Sequence, residues 1–277
     1  MADLRLLILA LTFFTVLHGT QYSIRHETYL DTSNPLLTSA HPLTATHYFA
    51  SKHNPLNIIF LKRAWGWTTL AFLPVLLTAP NRRIRRVFQY ILATASWAAF
   101  TTWFFGPALI ERVIFLTGGE CVLHVPGGDE SQYLPVPEEY CFGHERISYD
   151  THPHLFSSIV PASLDIMPTM PRMRRGHDIS GHIFLLTLSC LFLGDQIRQS
   201  LARRTWSAAH GWALGGAGAV LALWLFSLWV TSVYFHTPAE KVSGFVLGVA
   251  TFGITQVPVW LSHLQTTRVE RSKAKTS

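Results

Sequence analysis

The sequence predicts an all-α polytopic membrane protein with about six transmembrane helices and one large loop on the non-cytosolic side. Three observations carry this. Only 14% of the 277 residues are charged and 49% are hydrophobic, where soluble domains average about 25% charged. Several apolar runs approach the ~20 residues that cross a bilayer. Basic residues gather at the ends of those runs, which assigns the net charge of +6 to a membrane surface and not to nucleic acid. No zinc-type cysteine spacing, glycine-rich phosphate loop or internal repeat occurs.

The elements follow in order. The first apolar run, about 4–20, has the length of a signal-peptide core or a first span. No small-x-small cleavage site follows it, so it is read as a span. The second span covers about 58–80, with Lys62 and Arg63 deep inside one end. The third, about 87–110, carries no charge. A polar loop occupies about 111–181. The fourth, fifth and sixth spans cover about 182–198, 211–235 and 242–262, all within one domain of residues 1–277. Arg82, Arg83, Arg85 and Arg86, then Arg198, Arg203 and Arg204, then Arg268, Arg271, Lys273 and Lys275 all fall on one side of this arrangement. That side is expected to be cytosolic. His182, His236 and the loop then lie opposite. Arg172, Arg174 and Arg175 break the rule, which marks them as functional candidates.

Cys121 and Cys141 both fall in the large loop, where an oxidising lumen would allow a disulfide; three free thiols is the other reading. Cys190 lies within the fourth span as a packing residue. The tryptophans, among them Trp65, Trp67, Trp206, Trp212 and Trp260, read as interface anchors.

Two histidines sit at helix starts on the same side. His182 follows Asp178 and Ser180, either of which can cap the fourth helix. His236 precedes Thr237, Pro238 and Glu240, a capping box with proline at the first helical position, so the sixth helix is expected to start at Pro238. Helix N-termini attract anions and disfavour imidazolium. The chemistry this suits is phosphoryl transfer. One neutral histidine attacks phosphorus, and the other, protonated, serves the leaving oxygen. Lys62, Arg172, Arg174, Arg175 and Lys241 are the cations available for phosphate oxygens. Each residue also has a plainer reading: an interfacial histidine, a helix-capping Glu240, a snorkelling Lys62. His177 and Asp178 read more simply as loop polar groups. No carboxylate cluster demands a metal and no cofactor is called for.

"SGH" at Ser180–His182 resembles the second signature of lipid phosphate phosphatases, and "HTPAE" at His236–Glu240 resembles the histidine of their third. The first signature and the Ser-Arg that opens the third are missing. "NPLNIIFLKRAWGWTT", "TGGEC", "GHDISGHIFLL" and "VYFHTPAEKVSGFVLG" together resemble the fat storage-inducing transmembrane family in a fungal-looking version. The resemblance implies an endoplasmic reticulum protein with cytosolic termini and a lumenal active site. It implies an acyl-CoA diphosphatase that yields acyl 4′-phosphopantetheine and adenosine 3′,5′-bisphosphate and supports lipid droplet formation. Its two catalytic histidines fall on His182 and His236; the reading of the residues themselves adds Glu240, Ser180 and Asp178 as supporting groups. The expected partners are a fatty acyl-CoA and membrane lipids, neutral lipids included. Two rival readings are a non-catalytic binder of diacylglycerol or triacylglycerol and a lipid phosphate phosphatase.

Overall fold

The computed structural model describes residues 4–30, 41–79, 83–102, 107–125, 132–143, 145–156, 169–202, 205–257 and 260. Arg82, Arg203, Arg204 and the basic residues from Arg268 to Lys275 lie outside them, as do the end of the sixth expected span and parts of the loop. The chain divides into two compact units.

The first unit combines residues 1–30, 40–99 and 180–277. It holds a helix over each expected span: α1 (Leu4–Arg25), α2 (Ala64–Thr78), α3 (Arg83–Thr101), α7 (Gly181–Leu201), α8 (Ala208–Tyr234) and α9 (Pro238–Thr255). By length and composition, α1 and α8 are each long and apolar enough to cross a membrane. Helix α7 is the centre. Most of its residues are buried, and it packs on α1, α2, α8 and α9.

Two devices hold helices against α7. The first is glycine. Gly244 and Gly248, one turn apart on α9, have no side chain to separate it from α7. A β-carbon at Gly244 would meet Ser180 O at 2.7 Å, and one at Gly248 would meet Phe184 O at 2.8 Å. Small residues at this spacing let helix backbones approach without a hydrophobic driving force from water. The second device is Asp195, whose side chain is fully buried. Its Oδ1 accepts from Arg5 Nε at 2.7 Å and Arg198 Nε at 2.9 Å; its Oδ2 accepts from Gln89 at 3.1 Å and Gln199 at 2.9 Å. A buried carboxylate is tolerated when paired and hydrogen-bonded on both oxygens. Arg5 continues to Gln256 Oε1 at 2.9 Å, so one polar network ties α1, α3, α7 and α9.

Three expectations need correction here. The second span does not run as one helix from residue 58. Leu56–Phe60 form a π turn and Leu61–Arg63 a 3₁₀ turn before α2 opens at Ala64. Lys62 therefore precedes the helix and is exposed. The third helix starts at Arg83 and ends at Thr101, short of residue 110. Trp65 is buried and stacked on Tyr90 and Trp97, so it is a packing residue.

The second unit combines residues 31–39 and 100–179. What reads as a polar loop is a folded unit with strands, so the chain is not all-α. After α4 (Leu109–Leu116), strand β1 (Glu120–Val125) lies between β2 (Gln132–Pro135) and β3 (Arg172–Arg174), antiparallel to both. Short helices α5 (Glu138–Gly143) and α6 (Pro153–Phe156) complete it. Cys121 on β1 is bonded to Cys141 on α5, beside a core of Leu123, Leu134, Ile147 and Phe156. Cys190 is a buried free thiol of the first unit.

Candidate active site

The site is built where the N-termini of α7 and α9 adjoin. Ser180 caps α7, its Oγ accepting from Ile183 N–H. That leaves Asp178 outside the cap. The Ser180 backbone N–H donates to Glu240 O at 3.2 Å, which joins the head of α7 to the first turn of α9. His182 is the second residue of α7, partly exposed.

Helix α9 opens as its sequence dictates. Thr237 is the N-cap, Pro238 takes the first position where an N–H is not needed, and Glu240 Oε2 accepts from Thr237 N–H at 2.8 Å. Between the end of α8 and this cap the chain turns within two residues, Phe235 and His236. His236 adopts a left-handed φ of 62°, a conformation that costs a non-glycine residue on the order of 1–2 kcal/mol. The surrounding structure must supply that energy, as is common where a side chain is aimed for a purpose.

His236 Nδ1 lies 3.5 Å from Glu240 Oε2. An Nδ1–H turned toward the carboxylate leaves the lone pair on Nε2. Glu240 precedes the apolar stretch that begins at Val242. Burial pushes its carboxyl pKa up, but hydrogen bonds from His236 and the Thr237 N–H outweigh burial and hold it below the usual carboxylate range. Glu240 is therefore an anion with two tasks, capping the helix and orienting the imidazole. His182 and His236 thus stand at the heads of α7 and α9, whose first turns are joined by the Ser180 N–H to Glu240 O bond.

Lys241 is placed differently from the other candidate cations. It is fully buried, donates to Ser23 Oγ of α1 at 2.7 Å, and lies 5.2 Å over the Tyr29 ring. It braces α1 against α9 directly behind Glu240. Arg172, Arg174 and Arg175 are residues of the second unit. Arg174 lies over the Tyr133 ring at 4.6 Å, and Arg175 pairs with Glu120 at 3.2 Å. In that unit the His177 N–H donates to Thr117 Oγ1. Among the described residues, no three His, Cys, Asp or Glu gather as metal donors.

Sequence reasoning missed the residues that brace this corner. Thr28 Oγ1 donates to Val233 O at 2.8 Å and Leu30 N–H to Tyr234 O at 3.2 Å. Buried His41 reaches the same carbonyl. Their only sequence signal is a histidine before proline in a polar linker, which names no partner. An apolar groove of about 540 Å³ runs between α1 and α9, lined by Phe13, Phe14, Phe245, Val246 and neighbours. It begins about one turn, ~6 Å, beyond Lys241 on α9.

The chain matches the model of the family described as "fat storage-inducing transmembrane protein" over residues 45–217 and 207–256. It is 33% identical to acyl-coenzyme A diphosphatase fit1 of Schizosaccharomyces pombe, over 76% of this chain and 74% of that protein. It is 27% identical to acyl-coenzyme A diphosphatase FITM2 of Xenopus tropicalis, over 75% and 71%. It is also 27% identical to fat storage-inducing transmembrane protein 1 of Sus scrofa, over 75% and 63%. No solved structure matches it.

Proposed function

Since this chain belongs to the fat storage-inducing transmembrane protein family, we propose that it is a fatty acyl-CoA diphosphatase of the endoplasmic reticulum membrane. It hydrolyses the CoA pyrophosphate to acyl 4′-phosphopantetheine and adenosine 3′,5′-bisphosphate, and so supports lipid droplet formation and membrane homeostasis. The observation that carries the reading is the pair of histidines at adjoining helix N-termini, one of them held by a carboxylate.

The residues divide the work as follows. Glu240 holds His236 with Nε2 as the attacking atom. Nε2 bonds to phosphorus as the P–O bond to the bridging oxygen breaks, and protonated His182 gives its proton to that oxygen. Water then attacks the phosphohistidine, with His182 taking a proton from it, and restores both side chains. Lys62 meets the phosphoryl oxygens as their charge grows, while Lys241, whose pKa burial pushes down to about 7 against the pull of Glu240, holds α1 behind that carboxylate. For the nucleotide phosphates the candidates are Arg172, Arg174 and Arg175, on the sequence argument that they stand where positive charge should be scarce. The groove between α1 and α9 offers the acyl chain an apolar bed.

The same reading places six helices across the membrane, both termini in the cytosol and the histidines in the lumen. Supporting it are the helices over each expected span and the Arg/Lys clusters at their ends. A second reading, a non-catalytic binder of diacylglycerol or triacylglycerol that partitions it into droplets, draws on the apolar groove between α1 and α9.

The test is purified protein with oleoyl-CoA and mass spectrometry of both products. His182→Ala, His236→Ala and the double variant should each lose most activity, the double being little worse than either single, because linked catalytic residues are strongly non-additive. Near-normal turnover in either single variant, with both products formed, would move the binder reading to the front.

A further inference from the structure

A third histidine stands behind His236. His41 is 5% exposed and precedes the 3₁₀ turn Pro42–Ala45. Its Nδ1 accepts from Leu43 N–H at 3.1 Å. A ring nitrogen that accepts carries no proton, so the proton of the neutral ring is on Nε2. That atom lies 2.9 Å from Tyr234 O and 3.0 Å from Thr28 O, a donor shared between two carbonyls. The ring edge also meets the aromatic rings of Tyr234 and Phe235.

Tyr234 is the last residue of α8, and its carbonyl needs a partner from outside the helix. Two residues later comes the left-handed backbone of His236. The α8–α9 corner is thus held by Thr28, Leu30 and His41, all from the segments on either side of residues 31–40. The tautomer of His41 is locked by a backbone N–H, so the grip on the corner has a fixed direction.

We infer that His41 is a positioning residue for His236: its Nε2–H, fixed in one tautomer by the Leu43 N–H, clamps the terminal carbonyl of α8 and sets the turn that aims His236 toward His182. The inference rests on the catalytic role proposed above for His236. An ordinary core histidine could be exchanged for an apolar residue of similar size with loss of stability alone. A positioning histidine cannot, because the Nε2 donor itself is required.

The experiment uses full-length protein and oleoyl-CoA, with rates referred to folded enzyme by size-exclusion and melting profiles. His41→Leu keeps the volume and removes the donor. It should lower kcat at least tenfold with KM changed less than threefold. His41→Gln puts an amide N–H near the Nε2 position and should recover most of kcat. Thr28→Val removes the neighbouring clamp on Val233 O and should lower kcat several-fold, which keeps a readout if His41→Leu does not fold. Nitrogen-15 spectra of histidine-labelled wild type, assigned by loss of the signal in His41→Gln, should show the Nε2–H form. A wild-type kcat in His41→Leu, a glutamine variant no better than leucine, or an Nδ1–H tautomer would each overturn the inference. The catalytic reading fails separately: His236→Ala would then stay active, whatever the His41 variants do.

Discussion

Replacing Gly244 by alanine asks whether the closeness of α7 and α9 makes the site. The added β-carbon would sit 2.7 Å from Ser180 O and 3.3 Å from Ser180 Cβ. Ordinary contacts begin near ~3.5 Å. Ser180 O is in no position to yield, because it accepts the first bond of α7 from Phe184 N–H at 2.9 Å. Helix α9 must therefore retreat by roughly 0.8 Å at this level. Gly244 lies about two turns beyond His236, and Ser180 lies two residues before His182, so the retreat falls between the two imidazoles. A misplacement of about 1 Å can cost ~10²-fold in rate. We expect kcat/KM to drop roughly ten- to a hundredfold. Gly248→Ala meets Thr187 Cβ at 2.7 Å and Phe184 O at 2.8 Å, one turn further from the histidines, and should lose less. Gly253→Ala, with nothing within 4 Å, should keep full activity. Steady-state kinetics on the three variants, each checked for folding, decide the matter. A Gly244→Ala enzyme as active as Gly253→Ala would refute the argument that glycine contact assembles the site.

Four further outcomes follow from other parts of the molecule. Cys121→Ser opens a closure spanning 20 residues and should cost about 3 kcal/mol of stability in the second unit; proteolysis rates of that unit unchanged by reductant would contradict it. Asp195→Asn leaves Arg5 and Arg198 without their buried anion and should cost about 3 kcal/mol or more; a melting temperature equal to wild type would remove the network from the account. Lys62→Ala should lower kcat more than it raises KM if the ammonium meets charge that grows in the transition state, so a pure KM effect would reassign it to ground-state binding. Burial holds the His41 pKa below its ordinary value of 6.5, helped by Lys52 and His47 and opposed by the carbonyls of Tyr234 and Thr28. As pH falls below 6.5 the unfolded chain takes up this proton first, so stability should decline with acidity. His41→Gln should flatten that part of the profile below pH 6.5, and an unchanged slope would assign the decline to other groups.

Local signals made much of the site legible. Thr237, Pro238 and Glu240 specify their own cap and place the start of α9 at Pro238, where the structure has it. Ser180 does the same for α7, where its Oγ and not the Asp178 carboxylate takes the Ile183 N–H. The features that escaped depend on partners remote in sequence. Ile58–Phe60 is apolar and continuous with α2, so hydropathy could not show that the backbone is π-helical and 3₁₀ there and leaves Lys62 outside the helix. Strand β1, Glu120–Val125, pairs on one side with Arg172–Arg174, about fifty residues away in the chain. His41 is bound to a carbonyl 193 residues distant. Hydrogen bonds to backbone carbonyls leave no pattern in side-chain types.

The Asp195 network has a consequence for how the protein is made. Asp195 lies in the second half of α7, and a buried carboxylate needs partners on both oxygens. Ribosomal order brings Arg5 and Gln89 first, so when α7 appears, donors for both oxygens of Asp195 have already been made. Arg198 and Gln199 arrive with α7 itself. Only Gln256 remains to come, and it docks on Arg5. Biogenesis therefore has a direction: α1 works as a lock placed early, α7 is the key that seats in it, and α9 closes over both last. A chain that loses α1 would leave α7 to bury Asp195 with one of its two cross-helix donors gone.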